Sequence, residues 1–230
     1  ISWTTILCLL AFWGVSEQYQ ETTNMTLYQA RASFQHVLLT RMWNAQHEGV
    51  YVPITETTQP NPYLKHPNRE IVTTTGRELT MINPAYMTRQ ISEISTNQSY
   101  FRFHITSENP IRPENAASDW EVAALKNFAQ KKELEFYDWV KNSANEKQLF
   151  RYMAPLWMEG TCLKCHAEQG YKLGDLRGGI SISIPADSVV MYQNEHIGSL
   201  MATHFSIWIL GLFGISVAFL YAHQTQSELE

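Results

Sequence analysis

Apolar residues collect at the two ends of the chain and alternate with polar ones in its middle. Ile1 to Ser16 and His196 to Ser227 contain no charged residue. Within the second stretch Phe205 to Ala222 is 18 residues long. Extended to His204 and His223, it approaches the ~20 residues a helix needs to cross ~30 Å of hydrocarbon. This predicts a transmembrane helix over 205–223 followed by a cytoplasmic tail, 224–230. The first stretch is shorter, starts without Met and has no basic flank. It predicts a second membrane helix over 1–16, entered part-way through and kept as an uncleaved anchor because no A-x-A-like cleavage site follows it. A signal-peptide core is the alternative reading. With two spans, both ends lie on one side of the membrane and residues 17–204 on the other. Neither end carries Lys or Arg, so the positive-inside rule does not choose the side.

Between the spans the pattern is mixed. Glu17 to Trp43 holds no Pro or Gly, with Tyr28, Ala32 and Gln35 on one face and Phe34, Val37, Leu38 and Met42 on another. A long helix running on from the first span is expected there, with Gly49 as its stop. Five strands are expected at Val50 to Ile54, Tyr100 to Thr106, Glu133 to Val140, Gln148 to Leu156 and Gly179 to Ile184. Phe101/Phe103/Ile105 and Ile180/Ile182/Ile184 give the clearest alternation. Asn83 before Pro84 opens a helix carrying Met87, Ile91 and Ile94 on one stripe, and Ser118-x-x-Glu121 is a capping box that turns Trp120, Ala124 and Phe128 inward. A last amphipathic helix, Asp187 to Met201, leads into the second span. The fold class is therefore α+β.

Charge narrows the partners. All 17 Lys and Arg and 20 of the 22 Asp and Glu lie between Glu17 and Glu195, giving the middle domain a formal charge of −3. Nucleic acid is not expected as a partner, and seven Trp with 12% aromatic residues speak against a solvated, disordered chain.

The specific chemistry lies in the cysteines. Cys8 falls in the first apolar run, while Cys162 and Cys165 stand in Cys162-Leu163-Lys164-Cys165-His166, the C-x-x-C-H pattern of covalent haem attachment. Two thiols at this spacing add across two vinyl groups, and the adjacent imidazole reaches the iron from the same turn. A disulfide or redox dithiol is the competing reading, but such motifs sit between a strand and a helix in a βαβ unit, whereas this one follows a strand and precedes the loop Gly170 to Gly179. Zinc would need a second Cys/His pair, and the sequence has none at suitable spacing. One covalently bound haem c is therefore expected, with His166 on the iron. Covalent haem attachment is extracytoplasmic in bacteria, which places the middle domain in the periplasm of an inner-membrane protein. The sequons at Asn24 and Asn97 are then incidental.

Trp43 to Val52, Asn61 to Leu64, Ile82 to Gln90, Arg151 to Leu156 and Cys162 to Pro185, taken together and in order, resemble the periplasmic c-type haem domains of PAS- or Cache-like fold. Many of these form the sensory end of bacterial histidine kinases and cyclases. The resemblance spans about Ala30 to Pro185. It departs at Glu48, where Gly is expected.

Domains of that kind vary in their sixth iron ligand. Cys8 lies in the membrane, so a thiolate is not expected here. Met87, on its inward stripe, is the candidate distal ligand, with core packing as its alternative. His47 is a second candidate; its other reading is a cation at a helix C-terminus. Met42, Met81, Met153, Met158 and His104 also stand as candidates. Arg177 and Lys164 flank the attachment motif and are the expected propionate contacts, Arg177 the better placed because the glycines after it allow close backbone approach.

Two functions follow. A haem-based redox or gas sensor would work as a homodimer, shifting the helices that lead to the membrane, and expects an output domain beyond Glu230. An electron-transfer cytochrome, held in lipid beside other subunits of a respiratory or photosynthetic complex, needs no output domain. No carboxylate pair, nucleophile triad or second metal motif accompanies the haem motif, so no enzymatic role is expected.

Overall fold

The computed structural model describes residues 2–98, 101–130, 132–141, 148–160, 163 and 169–229. It divides into two compact units: Ile1–Thr26 with Asp187–Glu230, and Leu27–Ala186. The fold is α+β with antiparallel sheets, as the alternation predicts.

In the first unit the start of helix α1 (Trp3–Gln46) packs against helix α4 (Asp187–Leu229). The Trp208 indole donates to Thr4 Oγ1 at 3.0 Å. A Cβ at Gly211 would lie 2.2 Å from Trp3 Nε1, and one at Gly14 would lie 2.9 Å from Leu200 Cδ1. Residue 3 thus meets 211 and residue 14 meets 200, which makes the pair antiparallel. Among the described residues one helix, Asp187–Glu228, is long and apolar enough to cross a membrane. Its Phe213, Phe219 and Leu220 side chains are exposed, as lipid-facing residues would be. Residues 3–16 of this stretch are helical as the first part of α1.

In the second unit α1 buries Leu27, Ala30, Phe34 and Val37. The expected face of Phe34 and Val37 is therefore the inward one, whereas Tyr28 is exposed. Helix α1 ends in a Schellman motif: Gly49 N–H donates to Asn44 O at 3.0 Å and Glu48 N–H to Ala45 O at 3.1 Å. Glu48 occupies the left-handed position of that motif, with φ 59°. Glycine serves there without steric cost.

The second unit holds two sheets rather than one set of five strands. β1 (Val50–Pro53), β3 (Glu78–Ile82) and β2 (Glu70–Val72) form one, in the order β1-β3-β2. β2 and β3 are absent from the sequence expectation. β4 (Arg102–Thr106), β5 (Phe136–Lys141), β6 (Gln148–Trp157) and β7 (Leu176–Pro185) form the other, in the order β4-β7-β6-β5. One face of this sheet pairs Phe150 with Ile184, Tyr152 with Ile182 and Ala154 with Ile180, and packs on α1. On the other face Met153 packs with Ala124, Leu125 and Phe128 of α3 (Asp119–Ala129). The expected helix after Asn83 is α2 (Pro84–Asn97), its cap formed by Asn83 Oδ1 accepting from Tyr86 N–H at 2.9 Å. Tyr86 and Thr88 are its buried residues, while Ile94, expected on the inward stripe, is exposed.

β4 is an edge strand. Its free backbone groups would invite further strand pairing, but α2 closes them with hydroxyls. Ser92 Oγ donates to Phe103 O at 2.5 Å and accepts from Phe103 N–H at 3.1 Å. Ser95 makes the same pair of bonds to Phe101, at 2.6 and 3.1 Å.

Candidate functional site

The closure of β4 by α2 leaves a cavity of about 560 Å³ in the second unit, within the range of cofactor pockets. Phe103, Ile105, Leu156 and Gly178 supply wall from the four-stranded sheet, Ala85, Tyr86 and Ser92 from α2, and Asn61 with Tyr63 to His66 from the segment between β1 and β2. Gln169, three residues beyond His166, also lines it. Cys162, Lys164, Cys165 and His166 themselves lie outside the described residues.

The lining is cationic. Among the described lining residues Arg41, Arg89, Arg112, Arg177 and Lys65 stand against one carboxylate, Glu93. This contrasts with the chain's net charge of −5. Arg89 pairs with Glu93 at 3.8 Å and stacks over Tyr86. Arg41 reaches across from α1 to Pro84 O and Thr88 Oγ1, both at 3.1 Å.

Arg177, singled out by the sequence, lies on the cavity wall. The pairing of β6 with β7 skips it: Leu156 faces Gly178 and Trp157 faces Leu176. A bulge of this kind re-aims the extra side chain. Gly178 makes the tight approach possible, since a Cβ there would lie 2.1 Å from Thr106 O. Arg177 Nη1 donates to Ser107 Oγ at 2.8 Å, and its guanidinium lies over the Tyr171 ring at 5.0 Å. Its Nε–H is buried and has no hydrogen-bond partner. A buried guanidinium N–H without an acceptor is costly, so this cavity is suited to a ligand that brings an anionic oxygen.

His104 lines the same cavity but both of its ring nitrogens are engaged. Nδ1 donates to Glu121 Oε1 at 2.8 Å and Nε2 to Glu114 O at 3.0 Å. The bond to Glu121 raises the His104 pKa, and donation from both nitrogens fits the imidazolium. Burial alone would push the Glu121 carboxyl up. The bonds from His104, Ser181 Oγ and Ser118 N–H outweigh it and hold the pKa at about 2. The capping-box glutamate thus fastens α3 to β4 and β7. As arranged, both His104 ring nitrogens are taken up within the protein.

The structure does not bring the other expected ligands to this wall. Met87 is half-buried, and its sulfur accepts from Asn44 Nδ2 at 3.6 Å. His47 is exposed, its ring tilted against Trp43 with centroids 4.4 Å apart and Nδ1 2.7 Å from Trp43 O in the last turn of α1. Met81, Met153 and Met158 are buried, and Met42 is partly so. His66 does line the cavity, with Nδ1 accepting from Asn68 N–H at 3.2 Å. The sequence reading passed over it because it sits in a loop with no periodicity. Among the described residues no three His, Cys, Asp or Glu cluster as a metal site.

No curated protein matches the chain. A crystal structure of the cyanobacterial heme-protein Tll0287 aligns with it at 18% identity and a TM-score of 0.46, covering 70% of this chain and 95% of that one. Residues 15–185, a stretch that takes in α1 from Val15 onward, both sheets and the cavity, match the Tll0287-like family, and the chain belongs to that family.

Proposed function

We propose that this chain is a membrane-anchored monohaem c-type cytochrome domain facing the bacterial periplasm, of PAS- or Cache-like architecture, that senses redox state or a small gas. The observation that carries this reading is how near in sequence the motif stands to the cavity wall. The C-x-x-C-H motif at Cys162 to His166 ends three residues before Gln169 on the wall of a cationic cavity large enough for a cofactor. The name of its relative Tll0287, a heme-protein, agrees with it.

The residues present fit a haem. Cys162 and Cys165 supply two thioethers and His166 one axial nitrogen. The unpartnered Nε–H of Arg177 awaits an anionic oxygen, and the apolar wall of Phe103, Ile105 and Leu156 suits a macrocycle. When bound, the haem supplies a one-electron iron couple and an axial position whose occupancy sets affinity for small ligands. The protein's part is to hold it dry on one side and to bias its charge with fixed arginines. Among the described wall residues, His104 is held by Glu121 and Glu114 and His66 has its Nδ1 lone pair taken by Asn68 N–H, while Met87, off this wall, contacts Asn44, so the described wall presents no strong sixth ligand. This favours an exchangeable axial position, and hence sensing over electron transfer.

Carbon monoxide titration of the reduced holoprotein tests the reading. Binding with a shift of the Soret band supports an exchangeable position. A low-spin spectrum indifferent to carbon monoxide would remove gas sensing and leave redox sensing or electron transfer between membrane partners. Sensing through the helices that lead to lipid would also require a homodimer.

A further inference from the structure

We infer that Arg177 and Arg112 together form a two-guanidinium receptor for the paired carboxylates of a bound haem, an inference that rests on the haem reading above. The two side chains come from distant positions but are tied to one short segment. Arg177 Nη1 bonds Ser107 Oγ at 2.8 Å, and the same hydroxyl donates back to Arg177 O at 3.0 Å. Arg112 Nη1 bonds Asn115 Oδ1 at 3.1 Å. Asn115 O in turn accepts from Ser107 N–H at 3.1 Å and from Thr106 Oγ1 at 3.3 Å. Ser107 and Asn115, directly bonded to each other, therefore each hold one arginine, and both arginines line the cavity.

Among the described residues the charges at this end of the cavity are not balanced from within. The lining carboxylate, Glu93, lies beside Arg89. Glu114 reaches Arg112 Nε at 3.3 Å, but its side chain is 59% exposed and its charge is largely screened. Among the described residues Arg177 has no carboxylate partner, and it keeps a buried N–H unused. Two cations fixed by neutral hydroxyl and amide groups, with donors to spare, match a ligand that carries two carboxylates. Haem carries two on adjacent edges of its ring, and Gln169 on the same wall follows its attachment motif in sequence. The bulge at Arg177 and the missing Cβ at Gly178 are the backbone features that put the first guanidinium there.

Resonance Raman spectra and redox titration of the haem-loaded full chain test this. The propionate bending bands move down when a hydrogen bond to the carboxylate is lost, so Arg177→Gln and Arg112→Gln should each lower them. Each should also lower the midpoint potential, because a nearby cation favours the more negative reduced haem. Arg177→Lys should keep most of the potential but not the band position, since it retains charge without the guanidinium fork. Ser107→Ala, a milder change, should move the bands the same way by a smaller amount. Arg31→Gln, which removes a pair with Glu135 away from the cavity, should move neither. Unmoved propionate bands in Arg177→Gln, or in Ser107→Ala if that variant does not fold, would overturn the receptor while leaving the haem reading intact. A wild-type chain that takes up no haem would overturn both.

Discussion

Replacing Glu121 by glutamine should cost the second unit about 3 kcal/mol at neutral pH, a cost that disappears in acid. Glu121 is 4% exposed. Its carboxylate accepts four bonds: Ser118 N–H at 2.9 Å, Ser118 Oγ at 3.0 Å, His104 Nδ1 at 2.8 Å and Ser181 Oγ at 2.5 Å. An amide keeps one acceptor oxygen and turns the other end into a donor that faces donors, so two of the four bonds are lost. At roughly 1.5 kcal/mol for each bond to a charged group this is about 3 kcal/mol. The drop of the carboxyl pKa from 4.5 to about 2 gives the same order at ~1.4 kcal/mol per unit. The folded pKa is the lower one, so the stabilisation is complete above about 4.5 and is lost as pH falls toward 2. The raised pKa of His104 describes the same ion pair and is counted once; it keeps the pair charged through and beyond its ordinary value of 6.5. Urea unfolding of wild type and Glu121→Gln in detergent, followed by tryptophan fluorescence, should show a gap that is constant from pH 7 to 5 and narrows by pH 3. A gap below about 1 kcal/mol at pH 7, or one unchanged at pH 3, would refute the reasoning.

Three further expectations rest on single residues. Glu48→Gly relieves a left-handed residue at the C-terminus of α1 and should stabilise by about 1 kcal/mol, raising the thermal midpoint by ~3 °C; no rise would mean the αL position costs nothing there. Gly178→Ala drives a Cβ to 2.1 Å from a backbone oxygen, and should destabilise by about 3 kcal/mol in the same urea assay; an unchanged midpoint would show that β7 yields easily. His66→Ala, on the cavity wall, should change the carbon monoxide affinity of the reduced haem more than Met87→Ala, whose sulfur is held by Asn44; the reverse order would return Met87 to the iron.

What could be read from the chain divides by how local its cause is. Helices α2 and α3 were legible because their caps are written within four residues: Asn83 with Pro84, and Ser118 with Glu121. The strands of the larger sheet were legible where a buried face imposes alternation, as along Ile180, Ile182 and Ile184. β2 was not, because all three of its residues are exposed and leave no periodic trace; β3 shows only a short run at Thr80 to Ile82 that is buried without alternating. The turn at Gly76, with φ 80° and Thr73 N–H bonded to Arg77 O at 2.9 Å, was the available signal for this hairpin. At the site, Arg177 was visible through the glycines beside it, but the bulge that aims it is a property of strand register. Arg112, Arg41 and His66 reach the cavity through tertiary contacts between separate segments, which no local spacing encodes. The apolar stripe that nominated Met87 located α2 correctly in sequence, yet the serines of that helix, Ser92 and Ser95, proved to be the side chains that fasten it to β4.

The central claim is covalent haem at Cys162 and Cys165, and intact mass spectrometry tests it most directly. The full chain, produced with a periplasmic haem-maturation system and measured under denaturing conditions, should carry the added mass of one haem. Cys162→Ser or Cys165→Ser should weaken the linkage, and the double variant should release the haem to extraction. A wild-type chain at its apo mass, with both thiols free or joined in a disulfide, would contradict the account.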